Sequence, residues 1–534
     1  MNKIINPVLK GFNPDPCIIR VDDDYFIAVS TFEWLPGVRI HHSKDLINWK
    51  LLTCVITRES QLNLKGNESS GGIWAPALSF DGDLFCLVYT DVQNPRSRFF
   101  DAKNYLITAE NITGDWGDPV FLNASGFDPS LFHDDDGRKW LLNMECDYRM
   151  NKSISGGILM QEYSVEEKKL TGDVYKIFKG TKIGLPEGPH IYKRNGYYYL
   201  MVAEGGTYYG HAATMARAEN ITGPYQEDPG NPLLTSVSNS SLELKKAGHS
   251  SLVETQNGEF YIAHLCGRPL MPDKRCILGR ETALQKCYWN EDGWLRINGN
   301  NEPKVEVEAP SFNGNSEYSG YSACNNLPHG NVYRDDFNSL KLDNNYSSLR
   351  KYFSDDWIDL KSKPGYLRIK GMESPSSLYN HSIVARRLES FKVDFATKVY
   401  FQPESFQHLA GLICYYDEKN FYYLKISYDE DIGKCLNVIQ MDKGKYSEPA
   451  NPYIRLEPDK EIYLKASFNY NVLSFYWGYN ENAWNKIEIN FDSSILSDEY
   501  CDGFTGAFVG MCVHDLTAGG KWADFGFFEY KEII

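Results

Sequence analysis

The chain of 534 residues is long enough for two to four domains, and its composition is that of a globular protein with an excess of aromatic residues. Acidic residues outnumber basic ones by 71 to 55, and the net charge of −16 argues against nucleic acid or an anionic membrane surface as a partner. The 36 Tyr, 28 Phe and 11 Trp suit a neutral, hydroxyl-rich ligand, because aromatic faces stack on C–H surfaces while Tyr and Trp also donate hydrogen bonds.

The cysteines and the first residues favour a reducing compartment. No two of the 12 cysteines have a CxxC or other metal-ligand spacing, so we interpret them as buried thiols. Residues 1–7 lack the apolar segment of an export signal, and no run approaches 18 apolar residues. We therefore expect a soluble cytoplasmic protein.

Five tight polar turns, each between an apolar and an aromatic-rich segment, follow one another through the first half of the chain. They are centred on Asp24, Gly82, Gly137, Gly196 and Gly258. The spacings between them are 58, 55, 59 and 62 residues, and Asn-Gly and Asp-Gly pairs are typical of type I′ hairpins. Repeats of this length, each able to supply four strands, predict a five-bladed β-propeller. An unrelated all-β fold with common hairpin turns is the alternative.

The pattern changes after the fifth repeat. We expect the propeller to occupy residues 1–300 and a linker rich in Asn, Gly, Ser and Pro to occupy 301–330. Beyond it, aromatic-rich runs such as 395–401 and 421–428 alternate in part, and no helical period appears. These runs predict a β-sandwich, jelly-roll-like, over 331–534 and an all-β chain.

Acidic residues recur near the start of the innermost strand of the repeats. The residues nine positions before the turns are Asp15, Asp128, Glu187 and His249, and in the second repeat, which is two residues shorter here, Ala75 takes this place. Innermost strands surround the central channel of a propeller, so these side chains should converge on one axis. Converging carboxylates repel and resist desolvation, which separates their pKa values. Two carboxyls across a sugar site are what glycoside hydrolysis needs, while strand-end capping or a channel cation is the alternative.

The residue strings around these acids belong to an ordered set that covers nearly the whole chain. The strings are Gly11-Phe12-Asn13-Pro14-Asp15-Pro16, Ile73-Trp74-Ala75-Pro76, Phe127-Asp128-Pro129-Ser130, Pro186-Glu187-Gly188-Pro189-His190, Ala203-Glu204-Gly205-Gly206-Thr207, Leu278-Gly279-Arg280-Glu281-Thr282 and Phe504-Thr505-Gly506-Ala507-Phe508. With them the chain resembles glycoside hydrolase family 43, and more closely its two-domain intracellular β-D-xylosidases. The resemblance implies a five-bladed propeller and an inverting exo-enzyme that removes xylose from the non-reducing end of short β-1,4-xylooligosaccharides such as xylobiose.

The resemblance also implies roles for the three acids. Asp15 would be the general base that deprotonates the attacking water. Glu187 would be the general acid that protonates the leaving oxygen, for which its pKa must be raised. Asp128 would orient Glu187 and tune its pKa. Inversion requires base and acid to lie roughly 6.5–9.5 Å apart, which leaves room for the water.

Further residues are expected to bind the sugar on the strength of the resemblance. Arg280 would contact the hydroxyls of the cleaved sugar, with a surface ion pair to Glu281 as the alternative. Phe32 and Trp74 would wall the non-reducing sugar, with ordinary blade packing as the alternative. His249 would lie centrally near the acids, or be a plain core histidine.

The sandwich is expected to contribute to the same pocket. In this subgroup a loop of the second domain crosses the propeller mouth, and Phe508, or else Phe504, would close the pocket. We expect catalysis to need no metal or cofactor. Acids placed like Asp335, Asp336 and Asp524 hold a structural Ca²⁺ in related sandwiches, with turn capping as the alternative.

Three other functions remain open from the sequence. The family also contains α-L-arabinofuranosidases, so that activity or a bifunctional enzyme is the first alternative. A sugar-binding propeller would explain the aromatic residues but not three acids in phase, and a glycoside phosphorylase would require a basic phosphate site. The family often forms dimers or tetramers, so we expect a homo-oligomer that acts on small neutral oligosaccharides.

Overall fold

The computed structural model describes residues 2–311, 332–517 and 519–533. They are almost entirely β-structure and divide into two compact units. The first unit comprises residues 2–62, 70–268 and 280–311, and the second comprises 63–69, 269–279 and the described residues from 332 onward. Two short segments within the range predicted for the propeller therefore belong to the second unit.

The first unit contains five antiparallel sheets that follow one another in chain order, which confirms the predicted five-bladed β-propeller. Blade 1 consists of Cys17–Val21, Asp24–Val29, Gly37–Ser43 and Lys50–Ile56, and blade 2 of Gly72–Phe80, Phe85–Val92, Ala102–Ala109 and Val120–Asn123. Blade 3 consists of Ser130–His133, Lys139–Cys146, Ser155–Ser164 and Lys169–Phe178. Blade 4 consists of Glu187–Arg194, Tyr197–Glu204 and Ala212–Ala218, with Gln226–Glu227 and Leu234–Thr235 both paired to the third strand. Blade 5 consists of Lys245–Glu254, Phe260–Gly267, Glu281–Trp289 and Leu295–Ile297. A short strand, Trp34–Leu35, lies between the second and third strands of blade 1.

Each predicted turn joins the first strand of a blade to its second strand. At Asn195 and Gly196 both φ angles are positive, 49° and 81°, as a type I′ hairpin requires. The strands behind the turns bury apolar side chains between neighbouring blades. Ile27 of blade 1 and Ala263 of blade 5, for example, share one core cluster, so the last blade packs against the first.

The predicted linker is only partly described. Residues 312–330, which include Cys324, lie outside the described residues, and 301–311 do not form a plain connection. Strand Glu306–Glu308 pairs with Lys3–Ile5 near the start of the chain. The apolar Val307 is buried against the core that blades 1 and 5 share, which explains why this stretch is ordered.

The second unit is a two-sheet sandwich, as predicted. The eight-stranded sheet contains Val332–Asp335, Ile358–Asp359, Leu367–Lys370, Lys392–Tyr400, Ile462–Asn469, Val472–Asn480, Ala483–Asp492 and Trp522–Glu532. The seven-stranded sheet contains Ser382–Arg387, His408–Asp417, Asn420–Asp429, Gly433–Asp442, Lys445–Ser447, Ile454–Arg455 and Phe508–Asp515. Ser348–Leu349 is a further short strand of this unit. Alternate residues of both sheets, such as Phe395, Leu412 and Leu464, are fully buried in one core.

Helices are few. The second unit has a 3₁₀ turn at Ser493–Ile495 and an α-helical turn at Asp498–Cys501. Within the described ranges no helix approaches the length and apolarity that crossing a bilayer requires.

Candidate active site

A left-handed residue lies on the innermost strand of every blade or just before it. The five residues, with φ between 34° and 56°, are Asp15, Ala75, Asp128, Gly188 and His249. Four of them are not glycine, although a left-handed conformation costs an ordinary residue about 1 kcal/mol. The same backbone conformation therefore recurs at one residue per blade, and all five residues line one shared cavity.

Glu187 is displaced by one residue from the equivalent position that counting back from the turns predicted. Gly188, not Glu187, is the left-handed residue of blade 4, and strand pairing is irregular between Glu187 and His190. Glu187 thus occupies the phase that Trp74 and Phe127 occupy in their blades. A Cβ atom on Gly188 would lie 2.9 Å from the His249 ring, so the close approach of this ring requires glycine.

Asp15 is held by donors from two other parts of the propeller. Nη1 of Arg280 donates to its Oδ1 at 3.0 Å, and the hydroxyl of Ser30 donates to its Oδ2 at 2.7 Å. The same Arg280 nitrogen donates to the hydroxyl of Thr207 at 2.9 Å. Both Asp15 and Arg280 are buried, so this pair is shielded from water. Arg280 and Ser30 thus each hold one carboxylate oxygen of Asp15, which fixes the orientation of this side chain.

Asp128 and His249 lie beside this pair. Nδ1 of His249 is 4.0 Å from a carboxylate oxygen of Asp15 and 4.0 Å from one of Asp128. The backbone N–H of Gly188, the neighbour of Glu187, donates to Oδ2 of Asp128 at 3.0 Å. Asp128 is therefore tied directly to the strand that carries Glu187.

Burial and mutual repulsion raise the pKa of two of the three acids. Burial, reinforced by the negative charge of Asp15, raises the pKa of Glu187 to about 7, although Arg280 opposes the change. Burial and the charges of Glu187 and Asp15 raise the pKa of Asp128 well above its usual range. The cluster therefore holds protons near neutral pH, as acid catalysis requires. Burial also lowers the pKa of His249, which favours the neutral ring.

Aromatic side chains form one wall beside the acids. The ring centroids of Phe32 and Trp74 lie 5.7 Å apart, and those of Trp74 and Phe127 lie 5.2 Å apart. The guanidinium carbon of Arg280 lies 5.3 Å from the Phe32 centroid, so this wall adjoins the Asp15–Arg280 pair. Phe32 is buried while Trp74 is partly exposed, with its indole N–H donated to the carbonyl of Ser70.

Glu204 is a buried acid to which the sequence assigned no role. Its carboxylate accepts the backbone N–H and the hydroxyl of Thr181, each at 2.6 Å, and it is fully buried. Thr181 begins the loop that leads to Glu187, and the N–H of Gly205 donates to the carbonyl of Gly184 in the same loop at 2.8 Å. Glu204 therefore anchors the loop that carries a candidate catalytic acid.

The predicted aromatic residues of the sandwich lie in different environments. Phe508 begins strand Phe508–Asp515 and is fully buried, with the guanidinium carbon of Arg387 5.2 Å from its ring centroid. Phe504 lies between the helical turn and this strand and is partly exposed. The closing of the pocket by either residue stays a prediction.

The acids expected to bind calcium have other partners. Asp524 accepts hydrogen bonds from Lys363 at 2.9 Å and from Arg368 at 2.8 Å. Asp336 accepts from Arg334, and Asp335 accepts the backbone N–H of Phe337. No group of three or more His, Cys, Asp or Glu side chains in the described ranges is arranged to hold a metal. These acids do not fit a cation site, because basic side chains already neutralise two of them.

Comparisons with known proteins identify the family of this chain. The profile of glycosyl hydrolases family 43 matches residues 4–295, and that of the β-xylosidase C-terminal concanavalin A-like domain matches 334–531. A β-xylosidase of Bacillus subtilis (strain 168) is 46% identical, over 99% of this chain and 100% of its own. Xylosidase/arabinosidase 43B of Humicola insolens is 42% identical, over 100% and 98%. The crystal structure of a xylan β-1,4-xylosidase from Bacillus halodurans matches with a TM-score of 0.95 and 52% identity, over 99% and 100% of the two chains. The chain therefore belongs to glycosyl hydrolases family 43 and is a glycoside hydrolase.

Proposed function

We propose that this enzyme is an exo-acting β-xylosidase that releases xylose from the non-reducing end of short β-1,4-xylooligosaccharides with inversion. The observation that carries the proposal is the unequal environment of two acids of one cluster, Asp15 and Glu187. Asp15 is paired with Arg280 at 3.0 Å, whereas burial and the charge of Asp15 raise the pKa of Glu187 to about 7. The relatives named as xylosidases, matched over nearly their full length, support xylose as the sugar released.

The proposed mechanism gives each acid a separate role. Asp15 accepts a proton from water as that water attacks the anomeric carbon, and Glu187 gives its proton to the glycosidic oxygen as the C–O bond breaks. Asp128 keeps the strand of Glu187 in position through the N–H of Gly188, and its raised pKa favours the neutral carboxyl. Arg280 keeps Asp15 in place and donates toward sugar hydroxyls.

Proton NMR of xylobiose hydrolysis tests both the substrate and the stereochemistry. We expect α-xylose to appear first and to convert later to the β-anomer by mutarotation. Early β-xylose would contradict the role of Asp15 as base, because retention requires a nucleophile and not a base in that place.

An α-L-arabinofuranosidase activity is the second candidate. The name of the Humicola insolens relative includes both sugars, at 42% identity over the whole chain. Parallel assays with 4-nitrophenyl β-D-xyloside and 4-nitrophenyl α-L-arabinofuranoside compare the two. We expect both to be cleaved, with the larger kcat/KM on the xyloside, and a larger value on the arabinofuranoside would reverse the assignment.

A further inference from the structure

Two exposed aromatic rings stack on each other at loops of neighbouring blades. The ring centroids of Phe99 and Tyr148 lie 5.0 Å apart with an interplanar angle of 24°. They are 67% and 57% exposed, so their outer surfaces face water. Phe99 lies between the second and third strands of blade 2, and Tyr148 lies at the equivalent place in blade 3. Exposed aromatic rings lose the favourable free energy that burial of their apolar surface would give. Exposed apolar patches of this kind are typical of ligand-binding surfaces.

Arg98 fixes the relative position of the two loops. Its guanidinium donates to the backbone carbonyls of Asp147, Arg149 and Lys152 at 3.0–3.1 Å, and Nε donates to that of Tyr148 at 3.3 Å. A single side chain of blade 2 thus gathers four carbonyls of the blade 3 loop. This arrangement holds the ring pair, Phe99 and Tyr148, as a preformed surface.

Both loops are continuous with the active site. Phe100, next to Phe99, packs with its ring centroid 6.2 Å from that of Trp74 and 5.7 Å from that of Phe127. The second loop follows Cys146, which ends a strand of blade 3.

The second loop begins on the side of the site where Glu187 lies. Burial raises the pKa of the Cys146 thiol to about 12, and the charges of Asp128, Glu145 and Glu187 act on it in the same direction. Ser155, which begins the strand after this loop, donates its hydroxyl to the carbonyl of Pro186, the neighbour of Glu187, at 2.8 Å, whereas Asp15 pairs with Arg280, whose guanidinium lies over Phe32. The loop that carries Tyr148 therefore adjoins the strand of the proposed acid.

We propose that Phe99 and Tyr148 form a stacking platform for a sugar ring of the leaving group, the part of the oligosaccharide on the reducing side of the cleaved bond. The proposal rests on the proposed function, because the acid Glu187 must face the leaving oxygen and hence the leaving sugar. Xylose has no hydroxymethyl arm, so its ring presents flat C–H surfaces to an aromatic plane. The platform sets the preference for oligosaccharides over xylosides with small leaving groups.

The test compares two substrates that differ only in the leaving group. Xylotriose reaches the platform, whereas β-D-xylosyl fluoride departs as fluoride and does not. We expect Phe99→Ala and Tyr148→Ala to lower kcat/KM for xylotriose about tenfold, the equivalent of about 1.4 kcal/mol, and to leave that for the fluoride within about twofold. Tyr148→Phe keeps the ring and should retain the activity on xylotriose.

Tyr288→Ala is the matched control. This tyrosine is 48% exposed and lies seven residues beyond Glu281 on strand Glu281–Trp289, roughly 23 Å along it, so its loss should change neither substrate. Equal losses on both substrates, or unchanged kcat/KM for xylotriose in both alanine variants, would overturn the platform while the proposed function stands. A wild-type chain that cleaves neither substrate would overturn the proposed function and the platform with it.

Discussion

The hydroxyl of Ser30 donates a hydrogen bond of 2.7 Å to Oδ2 of Asp15. The Ser30 hydroxyl also accepts the backbone N–H of Ala75 at 2.7 Å, so the proposed base is linked through one buried serine to the inner strand of the next blade. A carboxylate that is fixed in this way has one orientation toward the attacking water.

Replacement of this serine should therefore lower kcat. We expect Ser30→Ala to reduce kcat for xylobiose about tenfold or more, because Asp15 gains freedom and the N–H of Ala75 loses its acceptor. Thr31→Val is the matched control. The hydroxyl of this neighbouring residue accepts the backbone N–H of Val38 and not a group that holds Asp15. A Ser30→Ala enzyme with wild-type kcat would show that Asp15 is positioned by Arg280 alone.

The raised pKa of Glu187 predicts an alkaline limit on activity. A general acid must be protonated, so kcat/KM for xylobiose should fall about tenfold per pH unit above pH 7, where the pKa of about 7 places the loss of this proton. β-D-Xylosyl fluoride needs no protonation of its leaving group, and its alkaline decline should be absent. An equal decline for both substrates would assign this titration to another group.

The variant Glu187→Gln tests whether Glu187 supplies the proton to the leaving oxygen. We expect kcat for xylobiose to fall by about 10³, because the amide cannot supply the proton, while the fluoride keeps most of its rate. Glu254→Gln, an exposed strand residue of blade 5, serves as the control for a lost carboxylate. Parallel losses on xylobiose and the fluoride would mean that Glu187 has a structural role.

The loop anchor Glu204 should affect both stability and rate. In Glu204→Gln one of the two acceptors of Thr181 becomes a donor, so we expect the free energy of unfolding to fall by about 1–3 kcal/mol. The loop to Glu187 then loses its fixed start, and the alkaline limb of the pH–rate profile should shift. Thr181→Val removes the hydroxyl, which donates to Glu204 and accepts the N–H of Ile183, but keeps the backbone contact with Glu204. It should produce a smaller change of the same kind, measured by urea unfolding and pH–rate profiles.

The sandwich contains a carboxylate whose contribution to stability depends on pH. Asp515 accepts the backbone N–H groups of Thr517, Gly520 and Lys521 and the Thr517 hydroxyl, and these bonds hold its pKa well below its usual range. A lowered pKa stabilises the fold above about pH 4 and loses this effect as the pH falls.

We therefore expect Asp515→Asn to lower the free energy of unfolding by about 2 kcal/mol at pH 7 and by less at pH 3. Urea unfolding at the two pH values measures the difference. Glu488→Gln, at an exposed strand position of the same unit, should cost little at either pH. A cost for Asp515→Asn that is constant with pH would mean that the carboxylate charge is not what these donors bind.

The repeats and the acids could be predicted because both depend on local chemistry. Turn residues such as Asn195-Gly196 favour a hairpin wherever they stand, and an acid that recurs at a fixed distance from them recurs at a fixed place in space. The position of Glu187 relative to the left-handed residue of its blade could not be predicted by counting from the turn. The strand pairing in blade 4 is irregular, and Glu187 lies one residue before that left-handed residue.

Ser30 and Glu204 were missed for a different reason. Each is an ordinary polar residue in a buried strand or at its end, and only the pairing of distant segments brings Ser30 to Asp15 or Glu204 to Thr181. The strand Glu306–Glu308 was likewise hidden, because its partner Lys3–Ile5 lies about 300 residues away in the chain. Contacts of this kind leave no periodic signal in a sequence.

Among the left-handed residues of the five blades, Ala75 is the position at which the site could be redesigned. Ala75 has the backbone conformation of Asp15, Asp128 and His249, and it lines the same cavity, but its side chain carries no functional group. Asn and Asp tolerate this conformation better than other residues with a side chain. Position 75 of the second blade could therefore carry a fourth polar side chain in the cavity, through natural or engineered substitution, without a change of backbone conformation.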